Sequence, residues 1–533
     1  MRTTPARRHA FVLARALTLL TILTVTPPSP AQARPPESAR EPAPNNRIDD
    51  LVFARLRQLN IQPAPLSSDA VFLRRAYLDV IGTLPSAQEA RSFLADQSPD
   101  KRGRLIESLL GRDEFGDYWA MKWCDILRVK SEFPIKLWPN AVQAYYHWIR
   151  ATVRDNMPYD QFARELLTES GSNFRVPPVN FYRAVQSREP RTIAAAAALT
   201  FMGTRTDAWP KDRLDDLAAF FSQVGYKQTQ EWKEEIVFFD PGKAFTGSRV
   251  GAARMVVFPD GTTAKLAPDQ DPREAFAQWL TAPDNPWFAK ALVNRVWSWL
   301  LGRGIVHEPD DIRPDNPPVN PELLAFLEKE FTGSRFDLKQ LFRLILNSAT
   351  YQMSSGAGRP EDEANFAHYR LRMLDAEVLI DAINQITGAS EPYSSAIPEP
   401  FTFTPPNQRA IALEDGSITS AFLETFGRPK RDTGLESERN AQPTAAAALA
   451  LLNSSQIQRK FDSSAKLQAL IQARVDLRQA ITNLYLTVLS RFPTEEEVRV
   501  ASGHAEKEGG ARRVFGMDLA WALVNSEEFL FRH

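Results

Sequence analysis

One cysteine, Cys124, and six histidines are all that this chain of 533 residues offers for thiol or soft-metal chemistry. A lone cysteine closes no disulfide within its own chain, builds no C-x-x-C-H haem attachment and supplies no multi-thiolate metal site. His147, His307, His368 and His504 are scattered, without H-x-H, H-x-x-x-H or H-E-x-x-H spacing. No histidine metal site is therefore legible, and no cofactor is expected. The phosphate-cradling patterns G-x-x-x-x-G-K-[ST] and G-x-G-x-x-G are missing, which argues against nucleotide chemistry. The nucleophile elbow G-x-S-x-G is missing too; the nearest string, Ser170-Gly171-Ser172, lacks its frame. Basic residues number 64 against 65 acidic, a net charge of −1, and no long basic stripe is visible. Phosphate backbones demand clustered lysine and arginine, so a nucleic-acid partner is not expected. After the first thirty or so residues no apolar run approaches the length of a membrane span.

What is present is an ordinary globular composition, 43% hydrophobic and 24% charged, sufficient for a sizeable core. The 39 prolines suit connections and first helical turns, where a missing N–H does no harm. Arg2, Arg7, Arg8 and Arg15 make a basic start, residues 16–25 an apolar run and Ala31-Gln32-Ala33 a small-x-small site. Together they read as an export signal ending at residue 33; an uncleaved anchor is the other reading. Its removal takes four arginines and no acid, leaving 60 basic against 65 acidic residues, a charge of −5. Residues 34–45 form a proline-rich tether. Cys124 follows Tyr118, Trp119 and Trp123 in an aromatic helical stretch, the setting of a buried, inert thiol.

Apolar residues then recur at helical spacing from residue 46 to about 231. Ser86 with Glu89 is a capping box. Ser98-Pro99 predicts the opening of a helix that Gly111 closes. Residues 232–268 change texture: Ile236–Phe239 and Arg254–Phe258 look like strands, and Thr262–Leu266 reads as a return strand after the turn Pro259-Asp260-Gly261. Helical patterning resumes at Asp271-Pro272-Arg273-Glu274, a cap, a first-turn proline and a box-closing acid. It continues through an aromatic helix over 287–301, a helix begun by Asp337 and a long one over 465–489. The expected fold is mainly α, with two helical domains (46–231 and 269–533) joined by a small β insert (232–268). Leu346-Asn347-Ser348, Leu452-Asn453-Ser454 and Val524-Asn525-Ser526 each end an apolar run. They read as caps, with Asn in the left-handed closing position and Ser opening the next helix.

The richest polar cluster runs from Arg303 through His307, Glu308, Asp310, Asp311 and Arg313 to Asp315 and Asn316, after a helix carrying Asn294, Arg295, Trp297 and Trp299. Carboxylates beside arginines and aromatics suit a polar or sugar ligand, and a pair of them suits acid–base work on a glycosidic bond. The competing reading is an internal ion network pinning a proline-stiffened loop to the helix, with Arg and Asp paired bidentately. A second charged stretch, 428–439, reads as a solvated connector, although Glu436 and Glu438, flanked by Arg439, are placed to join the first cluster. The candidate ligand-binding set is Asn294, Arg295, Arg303, Asp310, Asp311, Arg313, Glu436, Glu438 and Arg439.

Several strings resemble one family, the planctomycete-type cytochrome-associated proteins built from two paired domains of unknown function. In the first half they are residues 72–85 (FLRRAYLDVIGTLP) and 119–125. In the second half they are Thr281–Pro286, Asn294-Arg295-Val296-Trp297, Gly302-Arg303-Gly304, Asp310–Pro314, Asn316-Pro317-Pro318 and Phe426-Gly427-Arg428-Pro429. The resemblance implies electron-transfer association for relatives that carry cysteines. Those relatives have a C-x-x-C-H segment after a string like Phe201–Arg205 and a C-E-C-E-R string where this chain has Leu435-Glu436-Ser437-Glu438-Arg439. Both are without cysteine here. The joint loss is expected if they served a single thiol-based feature. The function expected is therefore that of a periplasmic or extracellular binding or scaffold component, with an envelope protein or a polysaccharide as partner. The alternative is a polysaccharide hydrolase using paired carboxylates.

Overall fold

The computed structural model describes residues 42–355, 359–473, 475–507 and 512–533. The export signal at 1–33 and most of the tether lie outside the described residues. The chain is mainly helical with small sheets. Among the described residues no helix is long and apolar enough to cross a membrane.

Local chemistry opens most helices where the sequence places them. Asn46 caps Arg47–Gln58 in a reciprocal box with Asp49, and Ser86 with Glu89 caps Ala87–Ala95 in the same way. Asp337 opens Leu338–Leu346, whose Leu338, Leu341, Phe342, Ile345 and Leu346 all face inward. Thr494 and Glu497 exchange the two bonds of a capping box ahead of Glu495–Lys507.

Four local readings need correction. The helix expected from Ser98-Pro99 begins later, as Lys101–Leu110, because the Ser98 amide and hydroxyl both turn back to the Asp96 carboxylate at 2.8 and 2.6 Å. At Asp271 the carboxylate is taken by the Arg273 backbone and guanidinium, which replaces the box expected from Glu274. The long helix over 465–489 is two, Ala465–Gln472 and Leu477–Val488, the second opened by Asp476. The Leu/Val-Asn-Ser strings are half right. Ser348, Ser454 and Ser526 each cap the next helix. Asn347, however, stays right-handed at φ −82°, and the Asn347 and Asn525 amides instead donate to the carbonyls four residues back. An amide side chain that satisfies an orphan carbonyl of the last turn removes the need for a left-handed cap.

The β elements begin before residue 232. Val224–Gln228 pairs antiparallel with Glu235–Phe239, whose other edge meets Gly171–Ser172. Arg254–Val257 and Thr263–Leu266 form the expected hairpin. A third pair joins Arg372–Met373 to Phe531–Arg532.

One contiguous hydrophobic core runs through both helical segments. Its centre is aromatic: Trp119 of Asp113–Ile126 lies 5.3 Å from Trp299 of Phe288–Leu301 and 4.5 Å from Phe342. Trp123 meets Trp299 edge-on at 6.1 Å. Polar ties cross in the same way. The buried Asp49 carboxylate accepts the Ala349 and Thr350 amides at 2.9 and 2.8 Å, so a first-segment acid caps a second-segment helix.

Candidate functional site

Arg295 projects from the aromatic Phe288–Leu301 helix into a fully buried position. Its guanidinium donates to the Thr200 and Leu199 carbonyls at 2.6 and 2.7 Å and to Asp310 Oδ1 at 2.8 Å. The other Asp310 oxygen accepts the Glu436 amide at 2.6 Å, so the Asp310–Arg295 pair uses a single carboxylate oxygen and is not bidentate. The Glu436 carboxylate accepts the Trp299 indole N–H at 2.8 Å. Burial pushes the Glu436 carboxyl up, against the pull of Lys122.

Lys122 leads to a second and larger network. Its ammonium group sits 3.2 Å from both Asp375 oxygens. Asp375 also takes Arg532 at 2.9 Å and the Tyr118 hydroxyl at 3.2 Å, with Arg439 at 3.5 Å. Arg439 divides its guanidinium between Asp125, at 2.7 and 3.1 Å, and Glu377, at 2.7 and 3.1 Å. Arg431 completes Asp125 at 2.9 Å, and Arg428 lies 3.4 Å from Glu377. Burial alone would raise Asp375 and Glu377. Lys122, Arg532 and Arg439 outweigh it at Asp375, and Arg439 with Arg428 outweighs it at Glu377, so both carboxyls stay below their ordinary range. The loop carrying these arginines fits tightly. Gly427, at φ +81°, would place a Cβ 1.8 Å from the Asn440 carbonyl oxygen.

A third knot surrounds Asp79 of the 72–85 string. Its carboxylate accepts the Tyr369 and Tyr351 hydroxyls at 2.8 and 3.0 Å and faces Arg372 and Arg532 at 3.4 Å each. Arg74 and Arg75, buried beside it, donate to main-chain oxygens of Val488, Phe529, Tyr351, Met353 and His533. The string is a clamp on the carboxy-terminal segment. Gly82 at its end, φ +59°, leaves room for the Tyr118 ring 2.5 Å from where a Cβ would stand.

The candidate residues thus fall into separate places. Arg295, Asp310 and Glu436 meet. Asn294 instead exchanges two hydrogen bonds with the Val306 backbone, at 2.8 and 3.0 Å, and holds the loop after its helix. Asp311 and Arg313 form a surface ion pair at 3.2 Å with Asp315 close by. Arg303 lies half-buried near Arg370; burial and that like charge push its guanidinium down. Glu438 closes its own loop by accepting the Asp432 and Thr433 amides, so it does not join Asp310. Arg439 belongs to the Asp125–Glu377 network. Sequence reasoning missed Asp79, Lys122, Asp125, Asp375, Glu377 and Arg532, and it read the 428–439 stretch as solvated, whereas Arg428, Arg431 and Arg439 are buried in these networks. Acids on an otherwise apolar helix, such as Glu377 and Asp381 within Ala376–Thr387, are the signal that marks them.

Asp381 carries a pH-dependent term. Burial pushes its carboxyl up from 3.8 to about 6, despite the Ala410 and Ile411 amides it accepts and Arg409 3.6 Å away. A raised folded value means the unfolded chain gives up its proton first. Asp381 therefore contributes stability below pH 4 that disappears as pH rises through 6, about 3 kcal/mol for the full interval. Asp381→Asn is expected to gain that amount relative to the parent between pH 4 and pH 7 in urea unfolding. A difference that stays flat over this window would refute the assignment.

The donor set does not fit covalent haem. Cys124 is the one thiol, wholly buried, and burial pushes it up to about 12. Among the described residues no three His, Cys, Asp or Glu side chains are grouped to hold a metal ion. The 201–205 and 435–439 strings nevertheless converge here. Gly203 accepts the Ile312 amide, Thr204 donates to the Ile312 carbonyl, and Glu436 donates to Asp310, so the 201–205 and 435–439 strings lie on the same short loop.

These features define a mainly helical protein whose two segments are joined by buried ion networks. Residues 47–224 match the family model PSCyt2, protein of unknown function (DUF1549). Residues 272–505 match PSD1, protein of unknown function (DUF1553). The chain belongs to the family that pairs these two domains, the planctomycete cytochrome-associated proteins. No curated protein and no solved structure matches it.

Proposed function

We propose that this chain works outside the cytosol as a binding or scaffold component of the cell envelope, by holding a partner and not by breaking a bond. The observation that carries the reading is where its charges go. Asp310, Glu436, Asp375, Glu377 and Asp125 are engaged with arginine, lysine, indole or backbone donors inside the fold. Glycoside hydrolysis needs two carboxyl groups facing each other across a space that admits sugar and water. The hydrolase alternative is not supported: Asp310 and Glu436 are committed to structure, and Asp311 and Asp315 share a surface arginine, Arg313. The basic, apolar and small-x-small order of the first 33 residues supports the envelope as the site of action. An envelope protein or a polysaccharide is the partner class.

The full chain, expressed in its own cells, should co-sediment with the envelope fraction and release no reducing sugar from envelope polysaccharide. Recovery in the cytosol alone would overturn the reading, as would a glycan-cleaving activity abolished by Glu436→Gln. Asp310→Asn is expected to lose about 2 kcal/mol, the size of a charge-assisted hydrogen bond, with envelope binding unchanged. Loss of envelope binding with unaltered stability would instead place Asp310 in a ligand site.

A further inference from the structure

Away from the buried networks, three loops bring rings together at the surface. Trp138 comes from the segment after Asp113–Ile126. Trp232 sits in the turn between Val224–Gln228 and Glu235–Phe239, and Phe401 in the proline-rich connection at 388–410. Trp138 and Trp232 lie 4.6 Å apart and nearly perpendicular, with Phe401 5.0 Å from Trp232 and 6.0 Å from Trp138. Phe133, on the same loop as Trp138, is 74% exposed and Trp232 is 52% exposed. Two ammonium groups flank the rings. Lys233 Nζ is 5.2 Å from the Trp138 ring and 5.6 Å from Trp232, and Lys136 Nζ is 5.2 Å from Phe133. Neither lysine has a carboxylate partner among the described residues. The nearby acids are occupied: Glu231 faces Arg175 at 3.6 Å, and Glu132 accepts the Ala396 amide. Lys136, Trp138 and Lys233 all hold positive φ, +64°, +76° and +63°. Backbone strain of this kind persists only where the surroundings over-determine it, so the backbone that carries Trp138 and the two lysines is held in place.

We propose that Trp138, Trp232, Phe401 and Phe133, with Lys136 and Lys233, form a binding surface for an anionic polysaccharide. The inference rests on the reading of the chain as an envelope-binding component and names its partner class. The electron-rich face of an aromatic ring attracts the C–H bonds on the flat side of a sugar ring. Open rings that line no deep cavity suit such a ligand. The polar groups without a protein partner around these rings, the two ammonium groups and the Trp138 indole N–H, are donors. They ask for a ligand rich in acceptors, and the unpaired charges ask for carboxylate or sulfate on it. Nucleic acid would require a continuous basic stripe, which two lysines do not make.

Affinity electrophoresis of the full chain tests this, in gels containing polygalacturonate, dextran sulfate, neutral dextran or poly-glutamate. Retardation is expected in both anionic polysaccharides and not in neutral dextran, weakening as salt is raised. Trp232→Ala should weaken it at least tenfold, and Lys136→Gln with Lys233→Gln several-fold, with circular dichroism unchanged. The double lysine variant reads the same surface should Trp232→Ala perturb the fold. The proposal is overturned by no retardation in either anionic polysaccharide, by equal retardation in neutral dextran, or by variants that bind like the parent. Retardation by poly-glutamate matching the polysaccharides would make the surface a peptide site and overturn it too. Envelope co-sedimentation that persists while every polysaccharide fails would remove this surface and leave the broader reading standing.

Discussion

Arg439→Ala is expected to destabilise the protein by on the order of 5 kcal/mol, because it takes a cationic partner from three buried or nearly buried carboxylates at once. The guanidinium lies 2.7 Å from both Asp125 and Glu377 and 3.5 Å from Asp375, with its side chain only 7% exposed. Burial of carboxylates is tolerable only while opposite charge and hydrogen bonds compensate the lost hydration. With Arg439 gone, Arg431 still serves Asp125, Arg428 still approaches Glu377, and Lys122 and Arg532 still hold Asp375. That leaves Glu377 most exposed to the loss, since Arg428 reaches it at 3.4 Å without the paired contacts that Arg439 makes. Removing the acid as well should therefore recover much of the cost. Arg439→Met combined with Glu377→Leu should be closer to the parent than Arg439→Ala alone, since well-packed apolar groups often replace buried ion pairs at little penalty. Guanidinium unfolding of the parent and the two variants reads this directly. A single variant within 1 kcal/mol of the parent, on the scale of an exposed ion pair, would show that water already reaches the network. Arg499→Ala is the control: its pair with Glu496 stands in solvent and should make no measurable difference.

Removing residues 526–533 is expected to abolish cooperative folding. The segment is short, but it closes two of the three buried networks at once, those of Asp79 and Asp375. Phe529 is fully buried, and the loss of such a side chain alone costs about 3–5 kcal/mol. Arg532 bridges Asp79 and Asp375, and stripping a partner from buried acids costs a similar amount, about 3–5 kcal/mol. Arg74 loses the Phe529 carbonyl and Arg75 the His533 oxygen, and the short strand on Arg372–Met373 goes with them. Together these rival the whole net stability of an ordinary domain, about 5–15 kcal/mol. The truncated chain should be protease-sensitive throughout, including the first segment, because Arg74 and Arg75 belong to Asp69–Val80. A shortened protein that still melts sharply within a few degrees of the parent would refute the clamp.

The 72–85 string shows how far the sequence could be read. Its helix, its stop at Gly82 and its buried leucines follow from spacing alone. The two consecutive arginines do not declare their targets, because those lie 276 to 458 residues further along the chain. The Arg303–Asn316 cluster shows the same limit. The residues are adjacent in sequence, yet Asp310 turns inward to Arg295 while Asp311 and Arg313 face solvent. Neighbouring residues in a loop point in directions set by what the loop packs against. The rings at Trp138, Trp232 and Phe401 come from three distant segments and formed no motif to find.

By itself the sequence determined the family, the mainly helical class, most helix starts, the strand at 236–239 and the hairpin over 254–266, and the lack of any thiol pair for a haem or a disulfide. These are properties of spacing, capping and composition, which act over a few residues or need only be counted. Tertiary structure alone decided that the two segments share one core, which acids are buried and paired, and which aromatic side chains remain at the surface. Hydration, burial and charge pairing depend on what comes within a few ångströms in space, and chain folding sets those neighbours largely without regard to their distance along the sequence.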